Sequence, residues 1–539
     1  MLKGLLLLLR TVRYLRLKQV TFQIWYRLRP IPRIAGTAKA EIKTFNEWHG
    51  HLYSSQSFFS ESRFNFLNFS FEIRSTDDWH SPILEKLWRY NLHYFDDLNS
   101  TNSDQRVLEH ERLIHKWINE NPIMHGDGWE AYPLSLRIVN WIKWCSRNPE
   151  YVDQTILNSL HTQVRALEKQ LEFHILANHL FANAKALAFA GQFFAGLEAK
   201  RWRKLSNRLL TAELKEQFLN DGAHYERSPM YHCILMWDLL DLYCLFSSRD
   251  PEARPVIEKI KVKVENGLSW LSNIIHTDGE IPFFNDSTFG IAPKVHQIQE
   301  YAEALGIRPS LLQLDQSNFI KQKVGPFTLV ADVGEIAPKY QPGHAHAEAG
   351  SFELSIGTQR ILVNSGIDEY GMSRRRLKQR STCSHNTVEI IRDGQVLNSS
   401  EVWSGFRVAR RASVSKQITE HSFECRIEGF WLNNITSTHV RKFDFGAQNK
   451  KSLVIHDVIS SGVFGCAHFH FHPACQLSVL DTHSLAAEVG GSLVHINFSE
   501  HAETLRIECG EWYPEFGKAI PNKKISVLFK DKLVTTISS

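Results

Sequence analysis

A chain of 539 residues with 43% hydrophobic and 22% charged side chains has ordinary globular usage, which excludes a disordered protein and allows roughly two to four domains. A net charge of +4 gives no electrostatic ground for a nucleic-acid partner. Eight cysteines without a CxxC pair read as buried thiols of a reducing compartment rather than a disulfide framework.

The first 40 residues contain no acid, while Lys3, Arg10, Arg13, Arg16, Lys18, Arg27, Arg29 and Arg33 are basic. Residues 1–33 read as one or two basic amphipathic helices, lying on the fold or on an anionic membrane surface. The apolar run at 5–9 is broken by Arg10, shorter than the ~7–15 residues of a signal-peptide core, and no cleavage site follows. The expectation is therefore a cytoplasmic protein or one peripheral at an inner membrane, with a periplasmic location as the alternative.

From residue 41 the apolar period is helical. In 156–171, Ile156, Leu160, Val164, Leu167 and Leu171 recur in steps of three and four. The pattern returns in 134–144, 201–218, 231–246 and 256–275. Between 305 and 325 the period changes to alternation. Strands are expected at 327–333, 352–356 and 361–363, the last two forming a hairpin through Gly357-Thr358, and then at 386–390, 452–459, 467–472, 493–498, 504–509 and 524–529. Many short strands without intervening helices indicate a sandwich. The expected domains are a basic helical segment (1–40), a helical domain (41–315) and a β-sandwich (316–539). No low-complexity linker separates the last two, so they are expected to pack firmly.

Four polar constellations stand out. Glu172, His179 and Asn183 would form one polar stripe if 172–183 is helical, either a satisfied helix–helix network or the lining of a wet cavity. Residues 221–232 are dense in ionisable groups, with Ser228 suited to a helix cap, Pro229 to the first turn, and Tyr231 and His232 able to face a cleft. His344 and His346 share one side of an extended segment, and together with Asn364 and His385 could complete a three-ligand site. His468, His470 and His472 alternate along one strand, which reads as a solvent or interface face.

These stretches, in this order, resemble the heparinase II/III-like polysaccharide lyases. The likeness runs through Leu87-Trp-Arg-Tyr-Asn-Leu-His-Tyr-Phe95, Gly128-Trp-Glu-Ala-Tyr-Pro-Leu-Ser-Leu-Arg137, Asn178-His-Leu and Glu226-Arg-Ser-Pro-Met-Tyr-His232. It continues through Phe284-Asn-Asp-Ser, Gly343-His-Ala-His-Ala-Glu348, Asn364-Ser-Gly, Arg380-Ser-Thr-Cys-Ser-His-Asn-Thr387 and Glu401-Val-Trp-Ser-Gly-Phe-Arg407. The resemblance implies an incomplete (α/α) toroid followed by an antiparallel β-sandwich, and β-elimination on an acidic, uronate-containing polysaccharide. It implies that Asn178 and His179 bind and neutralise the uronate carboxylate, that Tyr231 is the catalytic acid or base, and that His344 is its partner. Glu130, Arg137, Glu226, Arg227, His232, Tyr370 and Arg380 are the expected substrate-binding residues. His346, Asn364 and His385 would occupy metal positions, for Zn2+ or another divalent ion. The chain departs from the family pattern at Asn364, where Asp is usual, and at Glu348, where Asp is also common. An amide is a weaker zinc ligand than a carboxylate, which points to a weakened or structural metal.

The residue types suit that chemistry. Removing the C5 proton of a uronate builds charge on its carboxylate, where amide and imidazole donors stabilise it. Tyrosine titrates near ~10, so a Tyr base needs a neighbouring cation, for which Arg227 and His232 are the candidates. Two alternatives stand beside the lyase. One is a catalytically altered glycan-binding protein of surface-polysaccharide biosynthesis. The other is a glycoside hydrolase using a carboxylate pair drawn from Glu130, Asp221, Glu226 and Asp286.

Overall fold

The computed structural model describes residues 2–43, 47–59, 62–247, 254–311, 316–446 and 452–539. The expected domain boundary at residue 315 lies outside the described residues. Nine helices between Lys86–Tyr94 and Val295–Ala304 build the helical domain among the described residues. Its core is rich in indole rings: Trp79, Trp117, Trp141, Trp144 and Trp202 are fully buried. Trp117 and Trp141 meet edge to face with ring centroids 5.6 Å apart.

Helices Ala177–Phe193 and Pro229–Ser247 are apolar almost all round, and that is why they run through the interior. Alternating alanines from Ala182 to Ala190 in the first of them allow a close approach to Gly196–Gln217. The helix expected to reach residue 171 ends at Glu168. A turn follows, and the next helix begins at Ala177 after the left-handed residue Leu176 (φ 70°). Glu172 therefore stands outside the helix that carries His179 and Asn183.

The C-terminal half is antiparallel throughout. An eight-stranded sheet runs from Ser413–Ile418 at one edge to Gln476–Val479 at the other. A five-stranded sheet includes the long hairpin Ala502–Glu515 and Lys518–Lys530. A four-stranded sheet, Phe319–Val324, Phe327–Asp332, Phe352–Ile356 and Gln359–Leu362, contains the expected hairpin through Gly357. The alternating histidines lie on an interface rather than in solvent. His468 is 2.9 Å from Glu389, and His470 Nε2 donates to the Cys383 carbonyl at 2.9 Å, both rings buried. All eight cysteines are free thiols.

The two halves are sewn together by residues 276–291, which connect the helical domain's last two helices. His276 meets Glu353 at 2.8 Å, Arg360 meets Asp278 at 2.7 Å, and Phe283 stacks with Trp512 at 5.8 Å. The N-terminal helices bridge the same halves from outside. Leu2–Val12 docks on the sandwich through Arg10–Glu401 (3.2 Å) and Trp403 Nε1–Thr11 Oγ1 (3.0 Å). Leu17–Leu28 docks on the helical domain through Phe22–Phe173 (4.8 Å) and Arg16–Glu216 (2.5 Å). Among the described residues no helix is long and apolar enough to cross a membrane.

Within the sandwich, Asp457 accepts from His439 (2.7 Å) and from Arg441 (2.8 and 3.1 Å), all three fully buried. Removing the carboxylate strands a guanidinium in the core. Asp457→Ala is expected to lower stability by about 3–5 kcal/mol, read as a drop in the urea midpoint of unfolding.

Candidate active site

The site forms where three loops of the helical domain meet two loops of the sandwich. Tyr231 lies in the first turn of Pro229–Ser247, whose N-terminus is capped by Ser228: the Tyr231 amide donates to Ser228 Oγ at 3.1 Å. Ser228 Oγ in turn donates to the Asp286 carbonyl at 2.6 Å. From the sandwich side, His344 packs its ring on Tyr231 with centroids 4.0 Å apart. The Tyr231 hydroxyl is 3.1 Å from that of Tyr370.

Asp286 is the hub. Its carboxylate accepts from Arg376 (2.5 and 2.7 Å), His344 Nδ1 (2.8 Å) and His346 Nε2 (2.7 Å). Burial alone would raise this carboxyl; the Arg376 guanidinium and the two imidazoles outweigh it and hold the group well below the usual carboxylate range. With Nδ1 committed to Asp286, His344 presents Nε2 to the cleft, 3.7 Å from Glu226 Oε2. Burial raises the Glu226 carboxyl, against the opposing pull of His344 and of the Asn178 backbone N–H. Burial, reinforced by Tyr370, also pushes the Tyr231 phenol well above its ordinary value.

Asn178 and His179 close the helical side. His179 Nδ1 is 2.9 Å from Glu172 Oε1, and Asn183 Nδ2 donates to Glu172 Oε2 at 3.0 Å, so the polar stripe is a network across a turn. Burial opposes charge on His179, but the Glu172 carboxylate overcomes it and raises the imidazole's pKa. Asn178 Oδ1 is buried without a partner. Tyr132 packs at a tilt against His179 at 4.4 Å, and Tyr370 meets Phe406 at 5.3 Å.

Four non-glycine residues beside these groups adopt left-handed backbone: Leu176 (φ 70°), Ala177 (φ 56°), Arg227 (φ 55°) and Asn285 (φ 55°). Each adjoins or leads into Asn178, Glu226 or Asp286. Such conformations cost of order 1–3 kcal/mol each and persist only where the surroundings impose them. Asn285 shows how: its amide N–H donates to Glu348 Oε1 (2.6 Å), its side chain donates to the Arg227 carbonyl (2.9 Å), and its Oδ1 accepts from the His346 amide (3.0 Å).

His346, Glu348 and His385 form one buried cluster whose ligand atoms lie within 4.8 Å of one another. Glu348 Oε2 and His385 Nδ1 are 3.1 Å apart yet misaligned for a hydrogen bond, and each is otherwise unpartnered. Two imidazoles and a carboxylate suit zinc, and Asp286 behind His346 supplies the outer-sphere carboxylate that such ligands use. Asn364 Oδ1 accepts from the amide of Asn386, the residue after His385 (3.0 Å), and its Nδ2 donates to Ser351 Oγ (3.1 Å), so its amide is already engaged.

Several expected substrate contacts are redirected. Arg137 is fully buried, stacked 3.9 Å from Trp117 and donating to Gln163 and the His93 carbonyl. Ser135 bonds Asn183 on the cleft side, and two residues further on a helix the side chain points about 200° away. Arg227 donates to the Glu335 carbonyl at 2.5 Å rather than facing Tyr231. His232 is wedged between the Gly267 carbonyl (3.1 Å) and Trp270, with burial pulling its pKa down to about 3, so it is neutral. Arg380 clasps the carbonyls of Ala345 and Pro342, bracing the loop of His344 and His346. Glu130 pairs with Lys86 (2.9 Å) and with the Tyr90 hydroxyl. The spacing argument missed Arg376 altogether and left Asp286 outside the lyase site.

The fold and the site define a toroid–sandwich protein with an acid–base cleft at the domain junction. Heparinase II/III N-terminus matches residues 56–311, and Heparinase II/III-like, C-terminal, matches 307–538. The chain belongs to the heparinase II/III-like family. A heparin-sulfate lyase of Bacteroides stercoris is 23% identical over 387 residues, covering 60% of this chain and 56% of the relative. A heparin-sulfate lyase of Pedobacter heparinus is 24% identical over 269 residues, covering 45% and 40%. The chain thus spans about half the length of the relatives it matches. Among solved structures, Heparinase III superposes with a TM-score of 0.65 at 16% identity, covering 96% of this chain and 89% of that one. Heparan sulfate lyase HepC from Pedobacter heparinus gives 0.56 at 18%, covering 88% and 81%. These likenesses establish an incomplete (α/α) toroid with a β-sandwich.

His232 gives a signed pH test. Its native pKa lies below the 6.5 of the unfolded chain. Its contribution to stability is complete above pH 6.5 and is lost as pH falls towards about 3, because the unfolded chain takes the proton first. His232→Gln is expected to flatten the decline of unfolding free energy between pH 6.5 and 4 in urea titrations.

Proposed function

We propose that this protein is a polysaccharide lyase that cleaves a uronate-containing glycan by β-elimination. The observation that carries the reading is convergence. His344 packs on Tyr231 with ring centroids 4.0 Å apart and stands 3.7 Å from Glu226, whose carboxylate takes the Asn178 backbone N–H, so a phenol, an imidazole, a carboxyl and the Asn178 segment form one chain of contacts. Acceptors such as Asn178 Oδ1 and the Glu226 oxygens suit the hydroxyl groups of a sugar, which donate to them.

The roles follow from protonation. Asp286 fixes His344 with its proton on Nδ1, leaving the Nε2 lone pair to accept the C5 proton. Tyr231 keeps its proton and donates it to the departing glycosidic oxygen, and the C4–O bond breaks as the C4–C5 double bond forms. This reverses the expected need for a cation beside Tyr231: an acid benefits from the raised pKa that burial provides. His179, whose charged form Glu172 favours, and the Asn178 amide sit where charge grows on the substrate carboxylate. Tyr132 and Phe406 offer faces for pyranose stacking. A divalent ion held by His346, Glu348 and His385 would supply fixed positive charge behind the His344 loop; the chain's own residues carry the proton transfers.

The hydrolase reading lacks its carboxylate pair. Asp286 is saturated by four donors, Asp221 caps the amides of Ala223 and Ser317, and Glu130 pairs with Lys86. Only Glu226 faces the cleft. A glycan-binding protein without turnover would retain the geometry, so the product decides.

Digestion of a uronate panel should yield unsaturated ends absorbing in the near ultraviolet. Tyr231→Phe and His344→Ala should each lower that rate by about 10²–10⁴-fold while thermal unfolding stays within a few degrees of the parent. Full activity in both variants, or saturated products carrying solvent oxygen, overturns the mechanism. Elemental analysis should find about one divalent ion per chain, falling to background in His385→Ala.

A further inference from the structure

We propose that the two N-terminal helices form a docking surface for an anionic lipid bilayer, with their outward faces entering the headgroup region. The segment lies outside the matched family models, which begin at residue 56, and takes no part in the site described above. It therefore needs its own account.

Each helix has two opposed faces. On Leu2–Val12, Thr11 faces the sandwich, within 3.5 Å of the Val408 carbonyl. Leu5, Leu8, Leu9 and Val12, at i, i+3, i+4 and i+7, form a stripe turned to the solvent, each at least 40% exposed. On Leu17–Leu28, Gln19, Phe22 and Tyr26 face the helical domain through Tyr340, Phe173 and Leu171. Leu17, Ile24, Trp25 and Leu28 lie opposite, from 53% to 79% exposed. With Leu6 and Ile31, these make ten of the 29 exposed large apolar residues of the described chain, gathered within its first 31 positions. A soluble surface scatters such residues; a contiguous set signals a partner.

Charge selects the partner. No acidic residue occurs before Glu41. Arg10, Arg16 and Arg29 are turned inward onto Glu401, Glu216 and the Lys169 carbonyl. Arg13, Lys18, Arg27 and Arg33 remain exposed on the segment. Apolar stripes flanked only by cations, with a tryptophan among them, match an interface of acyl chains and anionic headgroups. A protein partner would be expected to bring acidic complements on this side as well as apolar ones, whereas a second copy of this segment brings only like charge. The docked faces hold this surface close to the cleft: Gln19 donates to the carbonyl of Tyr340, four residues before His344.

Co-sedimentation of the full chain with vesicles tests the proposal. Binding is expected to vesicles of mixed phosphatidylglycerol and phosphatidylcholine, to weaken as salt is raised, and to be at least about tenfold weaker on phosphatidylcholine alone. Combined Leu9→Ser, Leu17→Ser, Trp25→Ser and Leu28→Ser should lower binding at least about tenfold without changing the thermal midpoint, since none of the four lies on a docked face. Arg13→Gln, Arg27→Gln and Arg33→Gln should remove the preference for the anionic vesicles. Three outcomes overturn the proposal: the parent stays in the supernatant with both vesicles, the serine variant binds like the parent, or the parent is a dimer in vesicle-free solution that the serine variant renders monomeric.

Discussion

The structure turns on the carboxylate of Asp286. It belongs to the helical domain, in the segment before Val295–Ala304, while all four of its donors come from Arg376, His344 and His346 of the sandwich. Desolvating an ion of this kind costs several kcal/mol, and here a bidentate guanidinium and two imidazole N–H groups offset that cost. Neither domain can make the arrangement alone. One buried charge thus serves both the contact between the domains and the orientation of His344.

That charge also divides the labour among three buried carboxyls. Asp286 is held ionised by cationic partners. Glu226 and Glu348, equally buried but short of them, are pushed up by desolvation. The same residue chemistry therefore yields one carboxylate whose charge is favoured by its partners and two whose charge burial disfavours. The left-handed backbone at Leu176, Ala177, Arg227 and Asn285 fits this picture. The chain is bent against local preference so that polar atoms can be left facing a gap, and packing elsewhere in two large cores sustains it.

Arginines separate what periodicity can read from what it cannot. Arg137, Arg376 and Arg380 are all fully buried, and spacing alone treats them alike. Arg137 lies two residues from Ser135 and so faces away from the cleft, onto Trp117. Arg380 holds backbone carbonyls, and Arg376 alone of the three meets the Asp286 carboxylate. Tyr231 and His344 were legible because a phenol in the first turn of an apolar helix and paired histidines among small residues are locally unusual. Arg376, inside Arg374-Arg-Arg-Leu-Lys378, looks like any solvated basic run.

The sequence alone was enough for the change of apolar period between 305 and 325, which separates helices from strands, and for the ordered motifs that mark the family. Those features depend on neighbours within about a turn or a hairpin. Tertiary structure decided which histidine has its charge favoured, which has it opposed and which carboxylate is held low. His179 is half-buried and His232 fully buried; Glu172 favours charge on the first, and Trp270 with a backbone carbonyl surrounds the second. Asp286 and Arg376 are 90 residues apart. Protonation follows from groups brought together through space, and no local pattern encodes that distance.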